Sequence, residues 1–297
     1  MKTEQAHSRG GTRFRASTDS PRRVPPLLWL NLVCLDAPLV AIAWLGLFAR
    51  TFHRSVAAGN AIALFLTAWL IYLADRLADS LWLKPGTPRS LRHDFCLRHR
   101  EVWTATVILV AGFDAYVVWR TTAPETFFAG AIVGLLALIY LVLNHPFGRI
   151  WRTLPAKEFA IGFLFAAGTL VALLPPGPPV SLSFVVSAFA FPLMCSLNCI
   201  SIAGWEHDLD VVQGKVSIAT RFPIVTRLMT GLCLVVGLIC FVMAAAAPVT
   251  LPLFACIGLS ALLLAWLNAS RQLRIDERTA LADLVLLTPA AALLFPR

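Results

Sequence analysis

Charged side chains are scarce in this sequence. Only 14% of its 297 residues are Asp, Glu, Lys or Arg, whereas 58% are hydrophobic. Soluble domains carry about 25% charged residues, so this composition excludes an ordinary water-soluble protein. The sequence therefore predicts an integral membrane protein.

No segment shows the alternating polar and apolar pattern of a membrane β-barrel, so helices are expected to cross the bilayer. Crossing about 30 Å of hydrocarbon takes roughly 20 residues of helix. Nine apolar segments approach or exceed that length, at 27–49, 58–81, 102–119, 126–144, 158–175, 181–204, 224–246, 250–268 and 279–296. Asp283 and Pro289 interrupt the ninth. The predicted fold is all-α: one transmembrane helix bundle of about nine helices over residues 27–297.

The sequence also shows no secretory signal and no pattern of paired cysteines. The first 26 residues lack a short apolar core followed by a small-residue cleavage site, so they predict a disordered cytoplasmic tail rather than a secretory signal. The cysteines number seven, which is odd, and most of them lie within apolar segments. They predict no disulfide framework.

Acidic residues are outnumbered by basic ones, 16 against 25, for a net charge of +9. If the N-terminus is cytoplasmic, 21 of the 25 Lys and Arg residues lie on the cytoplasmic side, as the positive-inside rule requires. Charge spread over several loops of one membrane face indicates contact with membrane lipid and no nucleic-acid partner. We expect a multi-pass protein, as in the bacterial inner membrane, with its site on the cytoplasmic side.

Carboxylates gather at the cytoplasmic ends of two segments. Asp75 and Asp79 end the second segment, and Glu206 and Asp210 end the sixth. Each pair is four residues apart and so shares a helix face, with about 5 to 6 Å between side chains. Mg²⁺ is commonly held by a few carboxylates and the phosphate oxygens of a substrate. The two pairs predict a site for Mg²⁺ and a diphosphate.

Basic residues adjoin both pairs. A departing diphosphate needs preorganised cations, and five residues are candidates for that role: Arg76, Arg149, Arg152, Lys157 and Lys215. Positive-inside bias explains Arg149 and Arg152 equally well. That bias is the favoured explanation for Arg92, and a solvated loop position is favoured for His93.

The stretches LADRLAD and AGWEHDLDVVQGKVSIATRF resemble the two aspartate-rich motifs of the UbiA superfamily of intramembrane prenyltransferases, a family of nine-helix bundles. The resemblance implies that a polyprenyl diphosphate ionises at Mg²⁺ and that a lipophilic, often aromatic, acceptor captures the prenyl group. Residues implied as metal ligands are Asp75, Asp79, Glu206, Asp210 and Asp208. Those implied to hold the diphosphate include Arg76, Arg149, Lys157 and Lys215.

Three departures from the family pattern stand out. Ile71 replaces the asparagine that usually begins the first motif, and Glu206 replaces an aspartate. After the first motif this chain reads RSLRHDFCLRHREVW, where many family members carry an Arg-Pro segment and a glycine. These departures put prenyl transfer in question more than they do diphosphate binding.

Polar side chains inside membrane segments are costly and face inward by default. Asn198 and Asp36 are therefore candidates for a cavity that receives the acceptor, and Tyr72, beside the first acidic pair, is a candidate for stabilising an allylic cation there by cation–π attraction. Helix-to-helix hydrogen bonding is the competing explanation for Asn198 and Asp36.

Two other function classes remain open. A terpene cyclase on the same scaffold would quench the cation internally and need no acceptor. A transporter or non-catalytic binding protein would use the carboxylates as an ion site, although transporters tend to place such sites at the membrane midplane on broken helices.

Overall fold

The computed structural model describes residues 25–84, 86–144, 156–174, 180–270 and 272–294. Within these ranges the chain forms fourteen α-helices and no strand, so the all-α prediction is confirmed. In chain order the helices are α1 Pro26–Leu32, α2 Asp36–Thr51, α3 Ala58–Trp82, α4 Leu91–Arg98, α5 Arg100–Thr121, α6 Pro124–Asn144, α7 Lys157–Leu170, α8 Leu182–Trp205, α9 His207–Gln213, α10 Ile218–Arg221, α11 Pro223–Ala246, α12 Leu251–Ala269, α13 Ile275–Val285 and α14 Thr288–Leu294.

Six stretches of the described residues are long and apolar enough to cross a membrane, as a multi-pass integral membrane protein requires. They are Ala58–Trp82, Arg100–Thr121, Pro124–Asn144, Leu182–Trp205, Pro223–Ala246 and Pro248–Ala269. The other three predicted segments differ. The first is divided into α1 and α2, the ninth into α13 and α14, and the fifth holds the 14-residue α7 followed by a 3₁₀ turn. Most of the predicted tail, residues 1–24, lies outside the described residues.

The interior of the bundle is aromatic. Trp44 of α2 stacks on Phe191 of α8 with 4.5 Å between ring centroids, and Phe48 packs against both rings. By contrast, large apolar side chains cover the outer faces; Trp119, for example, is 83% exposed. An outer surface this apolar is compatible with lipid and not with water.

The divided first and ninth segments free backbone carbonyls that neighbouring side chains satisfy. Cys34 has a φ of 57° between α1 and α2, and the Trp69 indole N–H donates to the carbonyl of Val33 at 3.0 Å. Between α13 and α14, the Trp44 indole N–H donates to the carbonyl of Leu286 at 2.9 Å. Since lipid offers no hydrogen bonds, these donors make helix breaks tolerable at membrane depth.

We expect Trp44→Phe to lower the free energy of unfolding by about 1 to 3 kcal/mol, because it leaves the buried Leu286 carbonyl without a donor. The measurement is unfolding in mixed detergent micelles with increasing SDS. Trp119→Phe is the matched control, because it makes the same chemical change on an exposed surface. Equal stability of the two variants would contradict the role given to Trp44.

Both breaks lie at one buried polar cluster. Asn31 at the end of α1 donates to Asp36 Oδ2 at 2.7 Å and to Asp283 Oδ2 at 3.0 Å, and Asp36 is fully buried. The two divided segments thus place a carboxyl group of α2 beside one of α13 inside the bundle.

Helices α7 and α8 approach each other closely at Gly162. A Cβ built there would lie 2.7 Å from the backbone nitrogen of Ser196 and 2.8 Å from the carbonyl oxygen of Pro192. No larger residue fits without separating the helices. This contact holds together two walls of the cavity described below.

Candidate functional site

An apolar cavity of about 490 Å³ lies between α2, α3, α6, α7, α8 and α13. Aliphatic side chains, glycine and alanine make up most of its lining. Among the described residues, the polar side chains on its wall are Asn60, Thr67, Tyr72, Asp75, Thr122, Thr126, Tyr140, Thr169, Asn198 and Asp283. The cavity is suited to an apolar chain with a polar group near Asp75.

The first acidic motif connects this cavity to the charged end of the bundle. Asp75 lines the cavity, and so does Ile71 one turn earlier. One turn later, Asp79 Oδ2 lies 3.0 Å from Lys215 Nζ. The first motif is thereby in contact with the lysine that follows the second motif.

The second motif lies at a change of helix. α8 ends at Trp205, α9 begins at His207, and Glu206 occupies the join. The Asp210 amide still donates to the Glu206 carbonyl at 2.8 Å, so Glu206 and Asp210 remain one turn apart. The Glu206 carboxylate is 9% exposed and lies 2.5 Å from the Arg92 guanidinium.

Helix α4 joins the two motifs. Arg92 pairs with Glu206, and the adjacent His93 places Nε2 3.8 Å from Asp79 Oδ2 and Nδ1 2.6 Å from Ser90 Oγ. His93 is only 3% exposed, so its interpretation as a solvated loop residue is wrong. Periodicity within one helix could not have indicated this, because His93 meets Asp79 of a different helix.

Burial and neighbouring charge shift two pKa values here. Burial, and then the nearby Glu206 carboxylate, raise the pKa of Asp210 to about 6, while Lys215, Lys157 and Arg92 oppose the rise. Burial also lowers the pKa of His93 to about 3, against the nearby Asp79 carboxylate, which favours its charged form. His93 is therefore neutral at neutral pH, and Asp210 lies within range of three cations.

The other proposed site residues lie in different surroundings. Arg76 is buried away from the cavity wall, and its Nη2 donates to the Tyr72 hydroxyl at 3.3 Å. Asp208 is 93% exposed and pairs with the adjacent His207 at 3.1 Å. Lys157 begins α7, near Asp210. Arg149 and Arg152 lie outside the described residues.

The buried polar cluster reaches the cavity through Asn198. Its Nδ2 donates to Asp283 Oδ1 at 3.2 Å, and Asn198, Asp283 and Tyr72 all lie on the cavity wall. Asp36 stands behind them, joined to Asp283 through Asn31. Sequence reasoning noted Asp283 only as an interruption, although an acid within an apolar segment is itself a sign of function.

Whether these carboxylates suit a metal depends on their grouping. Within the described ranges, no three His, Cys, Asp or Glu side chains come together closely enough to hold an ion by themselves. Mg²⁺ usually takes one or two carboxylates and completes its shell with phosphate and water. The described residues therefore do not form a protein-only metal cage, and a metal held by the two acidic pairs would need phosphate and water to complete its shell.

Comparison with protein-family models, with curated protein sequences and with solved structures finds no match to this chain.

Proposed function

We propose that this protein is an intramembrane prenyltransferase, which moves a prenyl group from a polyprenyl diphosphate to a lipophilic acceptor within the bundle. One observation supports this most strongly: an apolar cavity of about 490 Å³ has Asp75 on its wall, one helical turn before Asp79, which contacts Lys215. A polyprenyl diphosphate, with a long apolar chain and an anionic head, would bind in an apolar cavity that has charged residues close by.

Asp75, Asp79, Glu206 and Asp210 would hold Mg²⁺, which supplies charge neutralisation for the diphosphate. Lys215 and Arg92, now paired with Asp79 and Glu206, lie where phosphate oxygens would bind and would exchange carboxylate for phosphate partners. A guanidinium binds phosphate through two parallel hydrogen bonds, which suits Arg92 to that exchange.

The reaction breaks the bond between the prenyl carbon and the bridging oxygen, and the diphosphate leaves with the electron pair. The acceptor supplies the pair for the new bond and loses a proton, which the released diphosphate can take up. Tyr72 lies on the wall beside Asp75, where its ring faces the Arg76 guanidinium at 5.3 Å from the centroid. In this proposal Tyr72 and Asp75 would lie next to the reacting carbon.

The test is an assay of diphosphate release by purified protein in lipid nanodiscs, with Mg²⁺, prenyl diphosphates of several lengths, and a panel of phenols and alcohols. Release that depends on both Mg²⁺ and an acceptor supports the proposal. Release without acceptor would replace transfer with cyclase chemistry. No release and no Mg²⁺-dependent binding of any prenyl diphosphate would overturn the proposal.

Within the second motif, we expect Asp210→Ala to lower diphosphate release on the order of 100-fold, because it removes a charge from the metal site. Asp208→Ala should stay within about twofold of the wild type, because an exposed side chain contributes little. Initial rates under saturating Mg²⁺ separate the two variants. Equal losses would mean that the exposed acid also reaches the substrate.

A second candidate function is ion-coupled transport. Broken helices that meet at buried carboxyl groups are typical of transporters, and here two divided segments meet at Asp36 and Asp283. Proteoliposomes containing a pH-sensitive dye would reveal proton movement driven by an imposed gradient. Flux that Asp283→Asn abolishes would favour transport over transfer.

A further inference from the structure

The polar groups on the cavity wall differ in character from those at its charged end. Among the described residues lining the cavity there are two acids, Asp75 and Asp283, and no lysine, arginine or histidine. The cations that surround the two motifs are therefore not on this part of the wall. A carboxylate within the cavity would meet two acids on the wall, whereas described cations such as Arg76, which stacks on Tyr72, are not part of the wall.

Hydrogen bonds fix the orientation of the Asn198 side chain. Its Nδ2 donates to Asp283 Oδ1 at 3.2 Å, as an amide nitrogen does to a carboxylate oxygen. Asp283 is held in turn, since its Oδ2 accepts from Asn31, which also donates to Asp36. The chain of contacts leaves the oxygen of Asn198 as the atom facing away from its partner.

That oxygen lacks a hydrogen-bond partner in the part of the chain that the structure describes, although Asn198 is only 3% exposed. Buried polar atoms are nearly always satisfied, and an exception in a native fold calls for a missing partner. Asn198 lies on the wall of the cavity. A group that enters the cavity and donates a hydrogen bond to Oδ1 would supply that partner.

The depth of Asn198 in the bundle, measured along α8 from the second acidic motif, suits an acceptor rather than a diphosphate. It lies eight residues before Glu206 on α8, which is about 12 Å along a helix. A hydroxyl bound there is deeper in the bundle than the acidic motifs. Its ring or chain would then lie between the two levels, next to Asp75 and Tyr72.

We propose that Asn198 and Asp283 form the acceptor subsite, and that the acceptor is a lipophilic molecule binding through an uncharged hydroxyl group rather than a carboxylate. This rests on the proposed transfer function. The hydroxyl donates to Asn198 Oδ1. A carboxylate has no proton to donate to that oxygen, and no lysine, arginine or histidine is among the described residues of the wall, so phenols and alcohols are selected over benzoates.

Binding of three matched compounds tests the subsite without Mg²⁺ or prenyl diphosphate. These are 4-hexylphenol, its methyl ether and 4-hexylbenzoate, each titrated into full-length protein in nanodiscs and followed by tryptophan fluorescence. We expect the phenol to bind about tenfold more tightly than the ether, the ratio that one net hydrogen bond supplies. The benzoate should bind no better than the ether.

Asn198→Leu should weaken binding of the phenol to the level of the ether while leaving the ether unchanged. Asn268→Leu is the matched control, because Asn268 donates to Ser201 and does not line the cavity. Equal binding of phenol and ether by the wild type would overturn the subsite, and so would preferred binding of benzoate. These wild-type comparisons stand even if Asn198→Leu fails to fold.

The outcomes separate this inference from the proposed reaction. Selective binding of phenol without diphosphate release in any assay would overturn the transferase and keep the subsite. Acceptor-dependent release with no preference for phenol would keep the transferase and overturn the subsite.

Discussion

Asp75→Asn is expected to reduce diphosphate release on the order of 100-fold or more, the loss typical of removing a preorganised electrostatic group. Asp75 is the motif carboxylate that lies on the cavity wall, so it joins the apolar chain site to the charged end. Asparagine keeps the shape of the side chain and removes its charge. The variant should therefore fold normally and still bind the phenol.

The control for this substitution is Asp94→Asn. Asp94 lies on α4 close to the same end of the bundle, but its side chain is 52% exposed and 3.9 Å from Arg89. Its replacement should leave the release rate within about twofold, because exposed pairs contribute little. Release by Asp75→Asn at the wild-type rate would remove Asp75 from the site and, with it, the main support for prenyl transfer.

Arg92→Ala is expected to destabilise the protein by about 3 to 5 kcal/mol, the usual cost of leaving one partner of a buried ion pair alone. The Arg92 and Glu206 side chains are 15% and 9% exposed and lie 2.5 Å apart. Unfolding with SDS in mixed micelles measures the change. Arg98→Ala, on the exposed face of the same helix, is the control and should leave stability unchanged.

A double variant separates stability from function at this pair. Arg92→Ala combined with Glu206→Gln removes the uncompensated charge, so it should recover much of the lost stability. It should not recover diphosphate release, because it lacks both a phosphate partner and a metal ligand. If Arg92→Ala alone matches Arg98→Ala in stability, the pair does not hold α4 against α8.

Membrane character and helical class follow from local features of the sequence. Hydropathy over about 20 residues identifies a helix that lipid will accept, and six long helices match six of the nine predicted segments. The same reasoning overestimated continuity in the first and ninth segments. Their breaks depend on Trp69 and Trp44 donating to freed carbonyls, which apolar periodicity does not reveal.

Parts of the candidate site were also visible in the sequence. A spacing of four residues identified the pairs at Asp75 and Glu206, since that spacing determines the helix face. The burial of His93 and the pairing of Arg92 with Glu206 were not visible, because a basic residue near a membrane end satisfies the positive-inside rule whether or not it has a partner. Asp208 lies within the second motif in the sequence, but its side chain is exposed to solvent.

The sequence by itself determined that this chain is an α-helical membrane protein with acidic pairs at two helix ends, because hydropathy and helical spacing act over short stretches of chain. Only the tertiary structure decided which charges meet and where the cavity lies. Asn31 and Asp283 are hydrogen-bonded across 252 positions, and α4 brings Arg92 to Glu206 across 114. Contacts at such separations depend on how helices break and pack, and no local pattern encodes them.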